Sequence, residues 1–173
     1  MLLDLLSTRR SIRQFTEQKI TAEQIAYLQE IVMRAPTSRG LNPWRFVFIT
    51  DPQILTQLAQ AKPKGAAFIA NCALAVVVCA DTTCSDVWVE DCSIAAICLQ
   101  LAVTELGLGS CWSQMRLRQC DETTSSSDFI CALLDLPPNI AVDSVIGIGH
   151  PAEQKEAHSR ADLPWAQIST IAP

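Results

Sequence analysis

The chain has 173 residues, 49% of them hydrophobic and only 18% charged, with a formal net charge of −5. A mean hydropathy of +0.21 implies a large buried fraction, best shared with a second copy of the chain. The acidic balance argues against a nucleic-acid binder, whose affinity depends on many cations facing phosphates.

The charge is unevenly placed. Residues 1–45 hold seven of the 13 Lys/Arg and four of the 18 Asp/Glu, so this part is +3 and the remainder −8. A basic cluster in an acidic body suits a small anionic ligand. The eight cysteines (Cys72, Cys79, Cys84, Cys92, Cys98, Cys111, Cys120 and Cys131) form no C-x-x-C pair. Free thiols in a reducing cytoplasm are therefore expected, and no metal site. The amino terminus shows no secretory signal.

Leu2, Leu3, Leu5 and Leu6 predict a short helix over 2–8 that delivers Arg9-Arg10-Ser11-Ile12-Arg13-Gln14-Phe15. Arginine forks suit phosphate oxygens, serine adds a short neutral donor, and Ile12 and Phe15 anchor the segment on either side of Arg13. A solvated basic face at a helix end explains the same residues. Thr21 followed by Glu23 and Gln24 is a capping pattern, and Ile25, Leu28, Ile31 and Val32 recur at helical spacing to Arg34. Pro36 stops that helix, Ala35–Pro43 is a loop, and Trp44–Thr50 is a strand.

Asp51-Pro52 opens a short helix with Ile54, Leu55 and Leu58, and a further helical piece falls around Gly65–Asn71. Ala73–Ala80 is a continuous apolar run that predicts a buried central strand. Ser85–Leu106 is the longest helix candidate, apolar nearly all round from Ile94 to Val103, as for a helix buried in a core or subunit interface. Its uncharged run between Asp91 and Glu105 is shorter than the ~20 residues of a membrane span. Gly107 and Gly109 end it, and Ser110–Ser113 enters a strand or loop. Gln119–Asp128 predicts a polar loop, Phe129–Leu134 a short helix, and Val142–Gly149 a last strand, followed by an irregular tail. No repeat or internal boundary is present, so residues 1–173 are expected to form one domain. Strands separated by helices imply an α+β or α/β sandwich around one sheet. No G-x-G-x-x-G or P-loop opens a helix.

Four segments in order resemble the nitroreductase family of FMN-dependent NAD(P)H oxidoreductases. They are residues 9–15, Ala35–Phe46, Gly107-Leu108-Gly109-Ser110-Cys111-Trp112, and Ile146–Pro151 followed by Arg160. The resemblance implies an α+β three-layer sandwich: a central, mostly antiparallel sheet flanked by helices, in an intertwined homodimer with FMN at the subunit interface. Arg9, Arg10, Ser11 and Arg13 match the family's amino-terminal flavin motif. Arg9 and Ser11 would hold the phosphate, and Arg13 would lie near flavin N1 and O2, where a cation favours the reduced form. Arg160 matches a phosphate-binding residue, and His158 stands where some members have lysine. Pro36, Thr37, Ser38 and Asn42 match the loop that the partner subunit contributes, with Gly40 and Asn42 where many members carry Asn and Gln. Trp112, Ser113 and Gln114 match the strand end beside the ring, where a backbone N–H of Gln114 or Met115 would approach N5.

The chemistry so implied needs neither a catalytic side chain nor a metal. NADH or NADPH would supply a hydride, and a nitroaromatic, quinone or similar small acceptor would take it in a ping-pong cycle, with no nucleic-acid or membrane partner. Cys111 reads as buried filler, His150 as a turn residue, and Glu90 and Asp91 as helix-start charges. Two other readings remain open: a flavin-binding carrier or sensor without turnover, and a protein that keeps the fold without the flavin.

Overall fold

The computed structural model describes residues 1–172. Its helices and strands are α1 (Leu2–Thr8), α2 (Ala22–Met33), β1 (Trp44–Ile49), α3 (Pro52–Leu58), β2 (Leu74–Asp81), α4 (Trp88–Glu105), β3 (Gly109–Gln114), α5 (Ser126–Leu133) and β4 (Ile140–Gly149). The strands form one sheet in the order β1-β2-β4-β3 with every neighbouring pair antiparallel. The apolar run read as a central strand is β2, buried along almost its whole length.

Strand alternation divides the core into two layers. Leu74, Val76, Val78 and Ala80 face α2 and α4. Ala75, Val77 and Cys79 face α3, the 3-10 turn Ala67–Asn71, and α5. Helices on both faces of an antiparallel sheet make the expected three-layer α+β sandwich. The register of β2 on β4 shifts between Val78 and Cys79, which pair with Ser144 and Val142. Asp143 is the extra residue of this bulge, so Val142 and Val145 share a face although three positions apart.

Local chemistry explains the helix ends. The Thr21 hydroxyl accepts the Gln24 N–H at 3.2 Å while the Gln24 side chain accepts the Thr21 N–H at 3.0 Å, a complete capping box. At the end of α4, Gly107 takes φ +70°, its N–H reaches the Thr104 carbonyl, and the Leu108 N–H reaches that of Val103. This Schellman closure turns the chain into β3.

One expectation needs correction. The polar loop is shorter than predicted: the Ser125 hydroxyl accepts the Asp128 N–H at 3.0 Å and starts α5 at Ser126. Helix α4 leaves part of its apolar surface uncovered by its own chain, as in the alternative in which it lies at a subunit interface: Ile94 is 39% exposed and Ile97 37%. Helix α1, with exposed Leu2, Leu3 and Leu6, packs on α4. No helix of the described residues is long and apolar enough to cross a membrane.

Candidate active site along the open edge of strand β3

Residues 9–17 form an irregular strap across the end of the sheet, held by backbone bonds and by two glycines. The Ile12 N–H donates to the Ser110 carbonyl and the Thr16 N–H to that of His150, each at 2.9 Å; the Ala152 N–H reaches the Gln14 carbonyl. A Cβ on Gly109 would lie 2.9 Å from Ile12, and one on Gly149 would lie 2.9 Å from the Phe15 ring. The two glycine motifs therefore admit the two apolar anchors of the arginine segment.

The carboxylate of Glu153 accepts the N–H groups of Arg13 and Gln14, and the Arg13 bond holds its carboxyl below the ordinary range. Lys155 Nζ donates to the Ser11 carbonyl at 2.6 Å, and Arg10 donates to the Glu156 carbonyl. Arg9 and Arg10 border an open cleft of about 570 Å³ that also touches Thr8, Thr104 and Leu108.

Strand β3 is an edge strand, so one side of its backbone has no ladder partner. Because Ser110 presents its carbonyl to Ile12, alternation turns Trp112 and Gln114 to the same outer side. The Gln114 carbonyl accepts Lys62 Nζ at 3.0 Å. The side chain of Gln114 is fixed as well: its Oε1 accepts Trp112 Nε1 at 2.9 Å and its Nε2 donates to the Arg116 carbonyl at 3.3 Å. Met115 and Arg116 both donate their N–H groups inward to the Asp143 carbonyl at the bulge. Of the two backbone donors read from sequence, only that of Gln114 faces the open edge.

Electrostatics mark the same edge. Burial pushes the Cys111 thiol up, opposed by the charges of Arg13, Lys155 and Lys62 and by a hydrogen bond with Ser11. Burial prevails, consistent with Cys111 as an inert filler. The neighbouring Ser110 Oγ is buried without a hydrogen-bond partner.

Other predicted residues lie elsewhere in the single chain. The loop with Pro36, Thr37, Ser38 and Asn42 precedes β1, at the opposite edge of the sheet and beside the end where β4 begins. Three interstrand spacings, from β1 across β2 and β4, separate it laterally from β3 by about 14 Å. Thr37 Oγ1 donates to Asn42 Oδ1 at 3.0 Å and accepts the Asn42 N–H at 3.2 Å. Gly40 takes φ +64°, a left-handed conformation with open space around its Cβ position. Asp91, read as a helix-start charge, is 2% exposed and accepts the Ser38 N–H at 2.8 Å. His158 and Arg160 are exposed on the tail. The Arg160 guanidinium stands 5.2 Å from the Trp165 ring, with no bond to Arg9 or Ser11 among the described residues.

Lys62, Lys155, Glu153 and Asp91 are the residues that sequence reasoning missed. Each acts through a backbone group distant in sequence, so no local motif announces it. Among the described residues no cluster of side chains could hold a metal ion, and all eight cysteines are free.

A family model described as Nitroreductase family matches residues 6–88. A protein of Archaeoglobus fulgidus named "Putative NADH dehydrogenase/NAD(P)H nitroreductase" is 34% identical over 164 residues, 92% of this chain and 91% of that protein. The chain belongs to the nitroreductase family. A solved FMN-dependent nitroreductase from Clostridium difficile R20291 superposes with a TM-score of 0.96 at 36% identity, covering 98% of this chain and 99% of the other. The FMN reductase (NADPH) of Bacillus subtilis is 26% identical over 174 residues, 87% of this chain and 66% of its own length. The span matched by the nitroreductase model holds the arginine strap, the 36–42 loop and Lys62; the full-length superposition extends the likeness to β3 and the tail.

Proposed function

We propose that this nitroreductase-family chain is a flavin oxidoreductase that holds FMN along the open edge of β3. It passes reducing equivalents from NADH or NADPH to a small acceptor, a quinone or nitroaromatic, in a ping-pong cycle. The observation that carries the reading is the seating of the arginine strap on β3: the Ile12 N–H bonds the Ser110 carbonyl, Lys155 bonds the Ser11 carbonyl and Lys62 the Gln114 carbonyl, beside Arg9, Arg10 and an unpaired buried Ser110 hydroxyl. A phosphate needs forked cations with a short hydroxyl donor, and a flavin ring needs a cation and a rigid N–H at its polar edge; this donor set fits both.

FMN, when bound, supplies a two-electron carrier that accepts hydride at N5 and returns it to an acceptor. The chain's own residues bind and orient. Arg9 and Ser11 hold the phosphate, aided by Arg10, and Arg13 places its charge toward the pyrimidine end of the ring. Gln114 offers the outward N–H, fixed by Trp112 and Arg116 on its side chain and by Lys62 on its carbonyl.

We read residues 1–173 as one domain acting in a homodimer. The Pro36–Asn42 loop lies at the far edge of its own sheet, so only a second copy brings it to the β3 edge. The exposed apolar stripe of Ile94 and Ile97 is suited to bury against that copy, and the tail with His158 and Arg160 reaches across it. The relatives named for FMN and for NADPH support cofactor and reductant in the same direction.

Initial-rate measurements with NADH or NADPH against menadione and a nitroaromatic, each at several fixed concentrations of the other substrate, test the proposal. Parallel double-reciprocal lines and turnover of both acceptors support it. Intersecting lines contradict the ping-pong cycle, and absence of turnover with bound FMN leaves a carrier.

A further inference from the structure

Lys62 has no counter-charge among the described residues: its side chain is half-buried, and no carboxylate among them lies within ion-pair distance. Among the described residues its one hydrogen bond is to the Gln114 carbonyl, and its Cε and Nζ lie 3.7 Å from the Cβ position of Gly65. Ser113 Oγ ties the same loop down through the Gly65 carbonyl at 3.0 Å. Burial lowers the Lys62 pKa and repulsion from Arg118 lowers it further, so holding the charge here is unfavourable until an anion arrives.

The contact is made to the one residue whose N–H faces the open edge. The peptide between Gln114 and Met115 is held at both ends, its carbonyl by Lys62 and its N–H by the Asp143 carbonyl, and with the two side-chain bonds of Gln114 this limits rotation of the backbone that carries the outward N–H. The positive charge is felt at Cys111 alongside those of Arg13 and Lys155. Hydride carries two electrons and one proton, so a ring that accepts it gains one net negative charge while the nicotinamide becomes cationic. A fixed cation at the rim of the ring site therefore favours the reduced ring over the oxidised one.

We propose that Lys62 is a positioning residue for the flavin: it fixes the Gln114–Met115 peptide, and so the backbone of Gln114, and raises the reduction potential of the bound ring. The inference rests on the FMN reading above. The test is the midpoint potential of the FMN-loaded protein, measured against a reference dye for the wild type and for Lys62→Met, Lys62→Gln and Lys62→Arg. Lys62→Met and Lys62→Gln should lower the potential, equivalent to a loss on the order of tenfold in the preference for reduced over oxidised FMN. Lys62→Arg should stay near the wild type. Arginine and glutamine, both polar and long, keep the comparison available if the methionine variant folds poorly. An unchanged potential in the neutral variants, or an equal fall in Lys62→Arg, overturns the inference while leaving the FMN reading intact. A wild-type protein that takes up no FMN overturns both.

Discussion

Gly149→Ala puts a methyl group where the structure has none to spare. The new Cβ would lie 2.9 Å from Cγ and Cδ1 of Phe15 and 3.1 Å from its Cβ. Carbon atoms rest at about 3.5–4.0 Å, so the ring must retreat by roughly half an ångström or more. Phe15 cannot move alone, because the Gln14 carbonyl and the Thr16 N–H on either side of it are both bonded to the chain after β4. Retreat therefore drags the strap that carries Arg13. Overpacking of this kind costs about 1–3 kcal/mol, offset by the roughly 0.4–1 kcal/mol that alanine gains over glycine in the unfolded chain. The net expectation is a loss of about 1–2 kcal/mol and an FMN dissociation constant raised on the order of tenfold. In a Phe15→Ala background the ring is absent, and Gly149→Ala should cost less than about 0.5 kcal/mol, a coupling of about 1 kcal/mol or more. Urea unfolding of the four apoproteins and FMN titration by fluorescence quenching measure both quantities. Equal cost in the two backgrounds, or an unchanged FMN affinity in the single variant, would refute the argument that Gly149 positions the strap.

Asp91→Ala removes a buried acceptor of the Ser38 N–H and should cost about 2 kcal/mol in urea unfolding, with weaker FMN binding. Asp91→Asn keeps an oxygen acceptor and should recover at least half of both losses. Ile94→Glu with Ile97→Glu charges the uncovered face of α4. Sedimentation should show monomers, with FMN uptake lost alongside the dimer. Burial raises the thiols of Cys72 and Cys79 from 9.0 to about 11 and about 12. The unfolded thiols ionise first as pH rises, so stability is intact below pH 9 and falls between pH 9 and 11. The slope is about 1.4 kcal/mol per pH unit for each thiol. Replacing both by alanine should reduce that slope, with Cys92, whose thiol burial also raises, keeping a share, and an unchanged slope would count against the buried-thiol account.

Where sequence and structure agree, the reason is local. The Thr21 box, the Asp51-Pro52 start, the apolar run of β2 and the glycine end of α4 are governed by neighbours within a few residues. The start of α5 was missed because a run of serines and threonines reads as loop until one hydroxyl, that of Ser125, is seen to cap. The arginine strap was legible from composition, but its fixation by Gly109, Gly149 and Glu153 depends on pairings more than ninety residues away in the chain. Lys62 and Asp91 carry ordinary local signals, a lysine before proline and an acid near a helix start. Only the β3 edge and the Ser38 N–H, met by the buried Asp91 carboxylate, give them a task.

The most direct test of the flavin assignment is the visible absorption of the purified protein, taken with added FMN and then titrated anaerobically with NADH and NADPH. The account predicts a yellow protein whose oxidised-flavin bands bleach with about one equivalent of reductant per flavin and return on adding menadione. A colourless protein that fails to take up FMN, or a yellow one that neither nucleotide bleaches, would contradict it.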